Sequence, residues 1–164
     1  MIFKLFSRIR FLLKSQNQHG LHSPFVYDFV TKGLYKKRVK NSNFNEYSEL
    51  KSISKKQQKV LSKIVKYFKI DTIYFDFKTF KNNKKNNYKL LYINNISNFK
   101  NINFDDLDSK NIIIFDKIHQ NKKTEKDWQN IIKNKEITAS IDLFYFGLIF
   151  FRKEQAKEHF IIRV

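Results

Sequence analysis

Residues 111–120 read NIIIFDKIHQ and decide the fold. The apolar run at 112–115 is short and uninterrupted, which is typical of a strand buried on both faces of a sheet. It stops at Asp116, and His119 follows three residues later. Functional side chains in open α/β sheets lie at the carboxyl ends of strands. Asp116 and His119 are therefore the first candidates for a site.

The last part of the chain predicts that the sheet closes with an antiparallel hairpin. Residues 137–146 and 148–151 both have the composition of strands, and only Gly147 separates them. Before them, an amphipathic segment with Thr124 as its cap predicts a helix that covers the sheet. Residues 159–163 predict a last strand. The fold class is therefore α/β.

Length and composition predict one domain with a real core. The chain has 164 residues, of which 41% are hydrophobic. We divide it into a basic helical region, residues 1–69, packed on a sheet region, residues 70–164. There is no cysteine, which excludes disulfides and thiolate metal sites and fits a cytoplasmic protein.

The net charge of +18 lies mostly in the first part of the chain. Residues 1–69 hold 16 basic and 3 acidic side chains, a balance of +13, whereas residues 70–164 hold 17 and 12, a balance of +5. Clustered lysine and arginine favour nucleic acid or an anionic membrane as a partner. The alternative is compositional drift, because the chain is also rich in other residues with A/T-rich codons, namely Asn, Ile, Phe and Tyr.

Residues 1–15, MIFKLFSRIRFLLKS, predict an amphipathic helix. Its apolar side chains share one stripe: Ile2, Leu5, Phe6, Ile9, Leu12 and Leu13. Lys4, Arg8 and Lys14 lie off the stripe and interrupt the segment too often for a signal peptide or a membrane span. We expect the stripe to pack on the protein's own domain. The alternative is a helix that lies in a membrane interface.

A second helix is predicted after Ser23, which can cap it, with Pro24 in the first turn. His19 and His22 precede this helix and are three residues apart. Because no third type of ligand is nearby, we interpret them as loop residues and predict no metal site.

Residues 72–77 and 88–93 predict two strands that are separated by only ten polar residues, 78–87. A parallel pair normally needs a crossover of about a dozen residues or more, usually with a helix. Either the two strands form a hairpin, or they are parallel and the sheet is thin at this point.

Three stretches together resemble a known family. They are QHGLHSPFV (18–26), IFDKIH (114–119), and SIDLF followed by GLIFFRKEQ (140–155). In this order they resemble a group of class I S-adenosylmethionine-dependent methyltransferases found in Bacteroidota. The resemblance covers residues 16–36 and 110–164 well. It implies a reduced Rossmann-like sheet with a C-terminal antiparallel hairpin, preceded by N-terminal helices.

The resemblance also implies where a site would lie. S-adenosylmethionine, the methyl donor, would bind at the carboxyl ends of the first strands. Asp76 would then be the residue that holds its methionine or ribose part. Asp116 and His119 would face the methyl acceptor and are the implied catalytic residues.

Three departures from the family pattern count against activity. The family's first strand ends in an acidic residue and a glycine-containing turn, whereas residues 73–81 read IYFDFKTFK. Glycines in such a turn let the backbone approach the ligand. The family's second and third strands are missing before Tyr88. Lys117 replaces the second carboxylate of the family pattern FDDIH, where it would pair with Asp116 or face solvent.

These observations leave three functions open. The one we favour is a degenerate family member without a working donor site, acting as a structural or interaction module. Its exposed sheet edge would be covered by the N-terminal helices or by a second copy in a homodimer. The second is a compact active methyltransferase of unknown acceptor, with S-adenosylmethionine as cofactor. The third is a basic RNA-binding protein that uses residues 1–69, although no RNA-binding motif is recognisable.

Overall fold

A computed structural model describes residues 2–83, 86–99, 104–105 and 107–164. Helices come first and a six-stranded mixed sheet follows, so the predicted α/β class is confirmed. The helices are α1 (Ile2–Lys14), α2 (Pro24–Asp28), α3 (Lys55–Tyr67), α4 (Phe77–Asn82) and α5 (Lys122–Ile131). The strands are β1 (Ile73–Tyr74), β2 (Lys89–Ile93), β3 (Asn111–Asp116), β4 (Ala139–Asp142), β5 (Phe146–Phe150) and β6 (Glu158–Ile161). A π-helical turn, Phe29–Leu34, extends α2.

The sheet has the order β1-β2-β3-β5-β4-β6. The first three strands are parallel to one another. β5 runs antiparallel between β3 and β4, and β6 is parallel to β4. This arrangement contains the predicted closing hairpin, formed by β4 and β5. β3 and β4 run in the same direction because each is antiparallel to β5, so their carboxyl ends lie at the same end of the sheet.

Two apolar cores lie on opposite faces of the sheet, because successive residues of a strand point to opposite sides. One core, under α2 and α3, contains Leu90, Ile112 and Leu148 from the central strands. The other, under α4 and α5, contains their neighbours Leu91, Ile113 and Ile149. Every residue of β3 is buried, as expected for a strand covered on both faces. Among the described residues, neither core includes a side chain of α1.

Helix starts follow the capping residues of the sequence. The Ser23 side chain accepts a hydrogen bond from the Val26 amide, with Pro24 in the first turn, so this prediction is confirmed. α5, by contrast, begins before the predicted cap. The side chain of Asn121 accepts a hydrogen bond from the Thr124 amide, and the Thr124 hydroxyl accepts one from the Asn121 amide. The two residues form a capping box, with Asn121 as the cap and Thr124 at the third helical position. The prediction of Thr124 as the cap was therefore wrong, because Asn121 caps the helix.

The region after the first strand differs from the prediction. β1 and β2 are parallel, so the hairpin alternative was wrong. The predicted strand at 72–77 shortens to Ile73–Tyr74, because Asp76 caps a helix and Phe77 begins it. The linker thus contains the short helix α4, which buries Phe80 against the sheet. The crossover between these two parallel strands therefore contains a helix of only six residues.

The closing hairpin turns at a different place from the one predicted. Gly147 does not separate the strands but lies inside β5, paired with Phe115 and Asp142. The turn consists of residues 143–145, and Phe144 takes a positive φ of 69°. Gly147 is needed for another reason: a Cβ there would lie 2.7 Å from Cζ3 of Trp128. The indole of α5 packs directly on the bare backbone of this strand.

The packing predicted for the first helix was wrong. α1 forms as expected, but the six residues of its apolar stripe are all exposed. Ser7 and Phe11, on the opposite side, are its buried residues. Ser7 has hydrogen-bond partners on other elements and Phe11 packs on the ring of Phe144, so the more polar side of the helix is the side that docks.

The open edge of the sheet is short. β1 is the edge strand beyond β2, and it spans only two residues. Tyr47, which precedes α3, lies beside it and its hydroxyl accepts from the Ile73 amide at 3.5 Å. None of the helices in the described part of the chain has both the length and the apolar character that a membrane span requires.

Candidate functional site

Asp116 ends β3 and is almost fully buried. Its Oδ1 accepts a hydrogen bond from Nε2 of Gln57, on α3, at 2.9 Å. Its Oδ2 lies 3.2 Å from Nζ of Lys117. Burial raises the pKa of Asp116, and the charge and hydrogen bonds of Lys117 only partly oppose this. The candidate carboxylate is therefore held by an amide and an ammonium group of its own chain.

Lys117 forms the ion pair that we considered for it. Its side chain is half-exposed while the carboxylate of Asp116 is buried. Its backbone has a positive φ of 54°, and its amide donates to the Tyr145 carbonyl at 2.8 Å. Lys117 therefore neutralises a neighbouring carboxylate.

His119 is buried in a network that joins three elements. Its Nε2 lies 2.7 Å from Oδ2 of Asp142, the last residue of β4. Its Nδ1 lies 2.8 Å from Oγ of Ser7, on α1, and 3.4 Å from Oε2 of Glu125, on α5. The ring stacks on Phe144 with centroids 5.1 Å apart. The second candidate catalytic residue thus connects α1 to the sheet.

The network itself indicates the charge state of His119. Oγ of Ser7 donates its one hydrogen to Oε2 of Glu125 at 3.0 Å, since a carboxylate only accepts. Ser7 is then left to accept from Nδ1 of His119, while Asp142 accepts from Nε2. Burial alone would lower the pKa of His119, but the hydrogen bond to Asp142 and the charges of Asp142 and Glu125 outweigh it, so the pKa is raised. The raised pKa and this order of donors and acceptors both favour the protonated ring, which donates at both nitrogens.

This arrangement contains Ser7, His119 and Asp142 in contact, but it does not have the properties of a nucleophilic triad. The nucleophile of a triad must reach its substrate, whereas Ser7 is 1% exposed. In a triad the serine hydroxyl donates to the histidine, whereas the Ser7 hydroxyl donates to Oε2 of Glu125. We therefore interpret the network as the attachment of α1 to the domain.

Two clefts open at this edge of the sheet. One, of about 400 Å³, is lined by residues of α1, the start of α3, the loop after β3 and the turn between β4 and β5: Lys4, Ser54, Gln57, Lys117, His119, Gln120, Phe144 and Tyr145. The other, of about 300 Å³, has Asp116 in its wall together with Asn95, Ser97 and Lys123. Asp116 and His119 therefore line separate clefts, and Lys117 and Gln120 lie between them because both clefts include these two residues.

Asp76, the candidate for holding the methyl donor, lies elsewhere. Its Oδ2 accepts from the Thr79 amide at 2.8 Å as the cap of α4, and this hydrogen bond lowers the pKa of the exposed carboxyl. Neither of the two clefts includes Asp76 among its described residues. Phe77 follows at once, and its ring packs against Phe80 and Phe99.

No family model, curated protein or solved structure matches the chain. The methyltransferase resemblance therefore stays a prediction, and the chemistry of the site must be argued from its own residues. Within the described part of the chain, no group of three or more His, Asp or Glu side chains has an arrangement that could hold a metal ion. His19 lies in a short 3₁₀ helix, Gln18–Gly20, and His22 lies in the segment between this helix and α2; both are exposed.

The sequence analysis did not find four residues that complete this site: Ser7, Gln57, Glu125 and Asp142. None of them carried a signal of its own: Asp142 lies inside the predicted strand 137–146, and only the structure ends β4 at this residue. Ser7 is separated from His119 by 112 positions and from Glu125 by 118. Contacts over such distances leave no local pattern in one sequence.

A third cleft, of about 330 Å³, is strongly basic. It lies between the residues that follow α2 and the end of α3, and its walls contain Lys32, Lys36, Arg38, Lys40, Lys63, Lys66 and Tyr67. Two of these lysines are tied to the backbone: Nζ of Lys63 donates to the Leu34 carbonyl and Nζ of Lys66 to that of Lys40. Burial and the nearby Lys59 lower the pKa of Lys63.

Proposed function

We propose that this protein is a shortened, non-catalytic relative of the class I S-adenosylmethionine-dependent methyltransferases that acts as an interaction module. The observation that carries the proposal is the turn after β1. The carboxylate of Asp76 is engaged as a helix cap, and Phe77 places a ring where a donor site needs bare backbone. A nucleotide-like ligand would have to displace both.

The sheet supports the family part of this proposal. The resemblance implies a closing antiparallel hairpin, and β5 returns antiparallel between β3 and β4. The family's second and third strands are missing from the sequence before Tyr88, which is a departure from the family pattern. β1 is the last strand at one side of the sheet and pairs only with β2. The described residues therefore contain no strand beyond β1.

The carboxyl ends of β3 and β4 support the non-catalytic part. α3 holds Asp116 through Gln57, and α1 holds His119 through Ser7. A general base must be within hydrogen-bond reach of its substrate. Gln57 and Lys117 already contact the two carboxylate oxygens of Asp116, and Ser7 and Asp142 contact the two ring nitrogens of His119. Both implied catalytic residues are used to attach helices.

Calorimetric titration with S-adenosylmethionine tests the proposal. We expect no heat of binding even at millimolar donor, and none for the demethylated product S-adenosylhomocysteine. Micromolar affinity for either would contradict it and would favour the compact enzyme. The specific observation for that enzyme is the cleft of about 400 Å³ with His119 in its wall, which has room for a small acceptor.

The basic cleft favours a second function, binding of a polyanion such as single-stranded RNA. Its six cations and Tyr67 offer charge for phosphates and a ring for stacking. The test is filter binding to single-stranded RNA over a series of salt concentrations. We expect Lys36→Gln with Arg38→Gln to weaken binding and to reduce its salt dependence. Lys122→Gln with Lys126→Gln, which removes the same charge from the exposed side of α5, is the control. Equal loss from both pairs would mean that net charge alone binds RNA.

A further inference from the structure

The first helix presents an apolar surface to solvent. Its six exposed residues form one stripe, from Leu12 through Leu5, Ile9, Ile2 and Leu13 to Phe6, as read around the helix. The exposed fraction of these residues ranges from 39% for Leu12 to 81% for Leu13. At 100° per residue the stripe spans about a third of the circumference. A surface helix of a globular protein normally turns such a stripe toward the core.

The orientation of α1 is fixed by the contacts on its other side. The Ser7 hydroxyl forms hydrogen bonds with His119 and Glu125, and the Arg10 guanidinium forms an ion pair with Glu125 at 3.0 Å. Phe11 meets the ring of Phe144 at 5.3 Å. A rotation that buried the apolar stripe would leave the charged network of His119 without partners, which is costly in a buried setting. The stripe is therefore held outward by a specific structure.

The chemistry around the stripe indicates what covers it. Residues 1–27 contain no acidic side chain. Arg8 and Arg10 border the stripe on its two sides, and Lys4 and Lys14 lie farther round the helix, next to its docked side. Residues 1–69 carry a balance of +13. A second copy of the chain would bring the same cations against these, so like charges would oppose a symmetric dimer through α1. An anionic surface with an apolar interior would complement both features.

We propose that α1 binds an anionic phospholipid bilayer, lying in the plane of its interface. With 13 residues the helix is about 20 Å long, and its apolar face would enter the boundary between headgroups and acyl chains. Arg10, which is exposed and borders the stripe, would meet the lipid phosphates. This binding does not depend on whether the protein also binds a methyl donor.

Vesicle flotation with the full chain tests the proposal. The probe is vesicles of phosphatidylcholine mixed with an equal amount of phosphatidylglycerol, compared with vesicles of phosphatidylcholine alone. We expect the protein to float with the anionic vesicles and not with the neutral ones. Leu5→Gln with Leu13→Gln should weaken binding about tenfold or more, because these side chains enter the acyl region. Arg10→Gln should weaken it about fivefold, and Lys4→Gln, on the docked side of α1, should weaken it less.

The control is Tyr27→Gln, which removes an exposed apolar side chain from α2 instead. It should bind like the parent protein. All of these positions are exposed, so the variants should keep the parent's thermal unfolding transition. Failure of the parent to float would overturn the proposal. Equal vesicle binding by the parent and the Leu5→Gln/Leu13→Gln variant would also overturn it. So would a parent protein that does not bind vesicles but forms a dimer, if the Leu5→Gln/Leu13→Gln variant is a monomer.

Discussion

Nε2 of His119 lies 2.7 Å from Oδ2 of Asp142, which joins the loop after β3 to the end of β4 across the sheet edge. On the other side of the ring, Ser7 brings α1 to the same histidine. The residue that sequence reasoning marked as catalytic is thus the centre of a structural network. This relationship explains why α1 docks by its polar side and why its apolar stripe remains outside.

Replacing His119 should destabilise the protein. His119→Ala leaves the buried carboxylate of Asp142 without its partner and opens space beside Phe144. We expect the free energy of unfolding to fall by about 2–4 kcal/mol. Urea denaturation followed by the fluorescence of Trp128, the single tryptophan, measures it. His22→Ala, at an exposed loop position, is the control, and an equal effect from both would refute the network.

The contribution of His119 should depend on pH. Its pKa is raised in the folded protein, so its stabilising effect is complete below the pKa of about 6.5 in the unfolded chain and is lost as the pH rises through the folded value. The difference in unfolding free energy between parent and His119→Gln should therefore shrink toward alkaline pH. His159 is present in both proteins, but burial and the charge of His119 both lower its pKa, so its titration also contributes to the difference. A difference that grows with pH would show that the ring is neutral.

Gly147 should be intolerant of any side chain. An alanine Cβ at this position would lie 2.7 Å from Cζ3 of Trp128, well inside van der Waals contact. We expect Gly147→Ala to lower the free energy of unfolding by about 1–3 kcal/mol through overpacking. Gly20→Ala provides the comparison, because its nearest neighbour would be Gln16 at 3.8 Å. Thermal unfolding of the two variants should show a clear loss for the first and little change for the second.

Asp76 should behave as a helix cap. Asp76→Ala removes the acceptor for the Thr79 amide and should lower the melting temperature, whereas Asp76→Asn keeps an acceptor and should preserve it. The hydrogen bond from that amide lowers the pKa of Asp76, so the difference between parent and Asp76→Ala should disappear as the pH falls through the folded pKa. Identical melting of the alanine variant and the parent at neutral pH would speak against the cap.

Strong local signals predicted part of this fold. The uninterrupted apolar run gave β3, and Ser23 with Pro24 gave the start of α2, since each depends on neighbouring residues alone. The length of β1 was overestimated because the composition of residues 72–77 favours a strand, while the side chain of Asp76 caps a helix. Gly147 was assigned to a turn because only the tertiary contact with Trp128 explains it.

The candidate site was predicted less completely than the fold. The ends of strands identified Asp116 and His119, because strand ends can be read from hydrophobic runs. Their partners Gln57 and Ser7 come from helices more than fifty positions away, and no periodicity indicates such contacts. The outward face of α1 was missed for the same reason: an amphipathic pattern gives the stripe but not the side on which the helix is bound.

The most direct test of the non-catalytic proposal is a titration of the ¹⁵N-labelled protein with S-adenosylmethionine, observed by two-dimensional NMR. The amides of Asp76, Phe77 and Thr79 report on the turn after β1. We expect these signals to stay in place at millimolar donor, because the turn is closed by a cap and an aromatic ring. Saturable shifts of these amides at micromolar donor would contradict it.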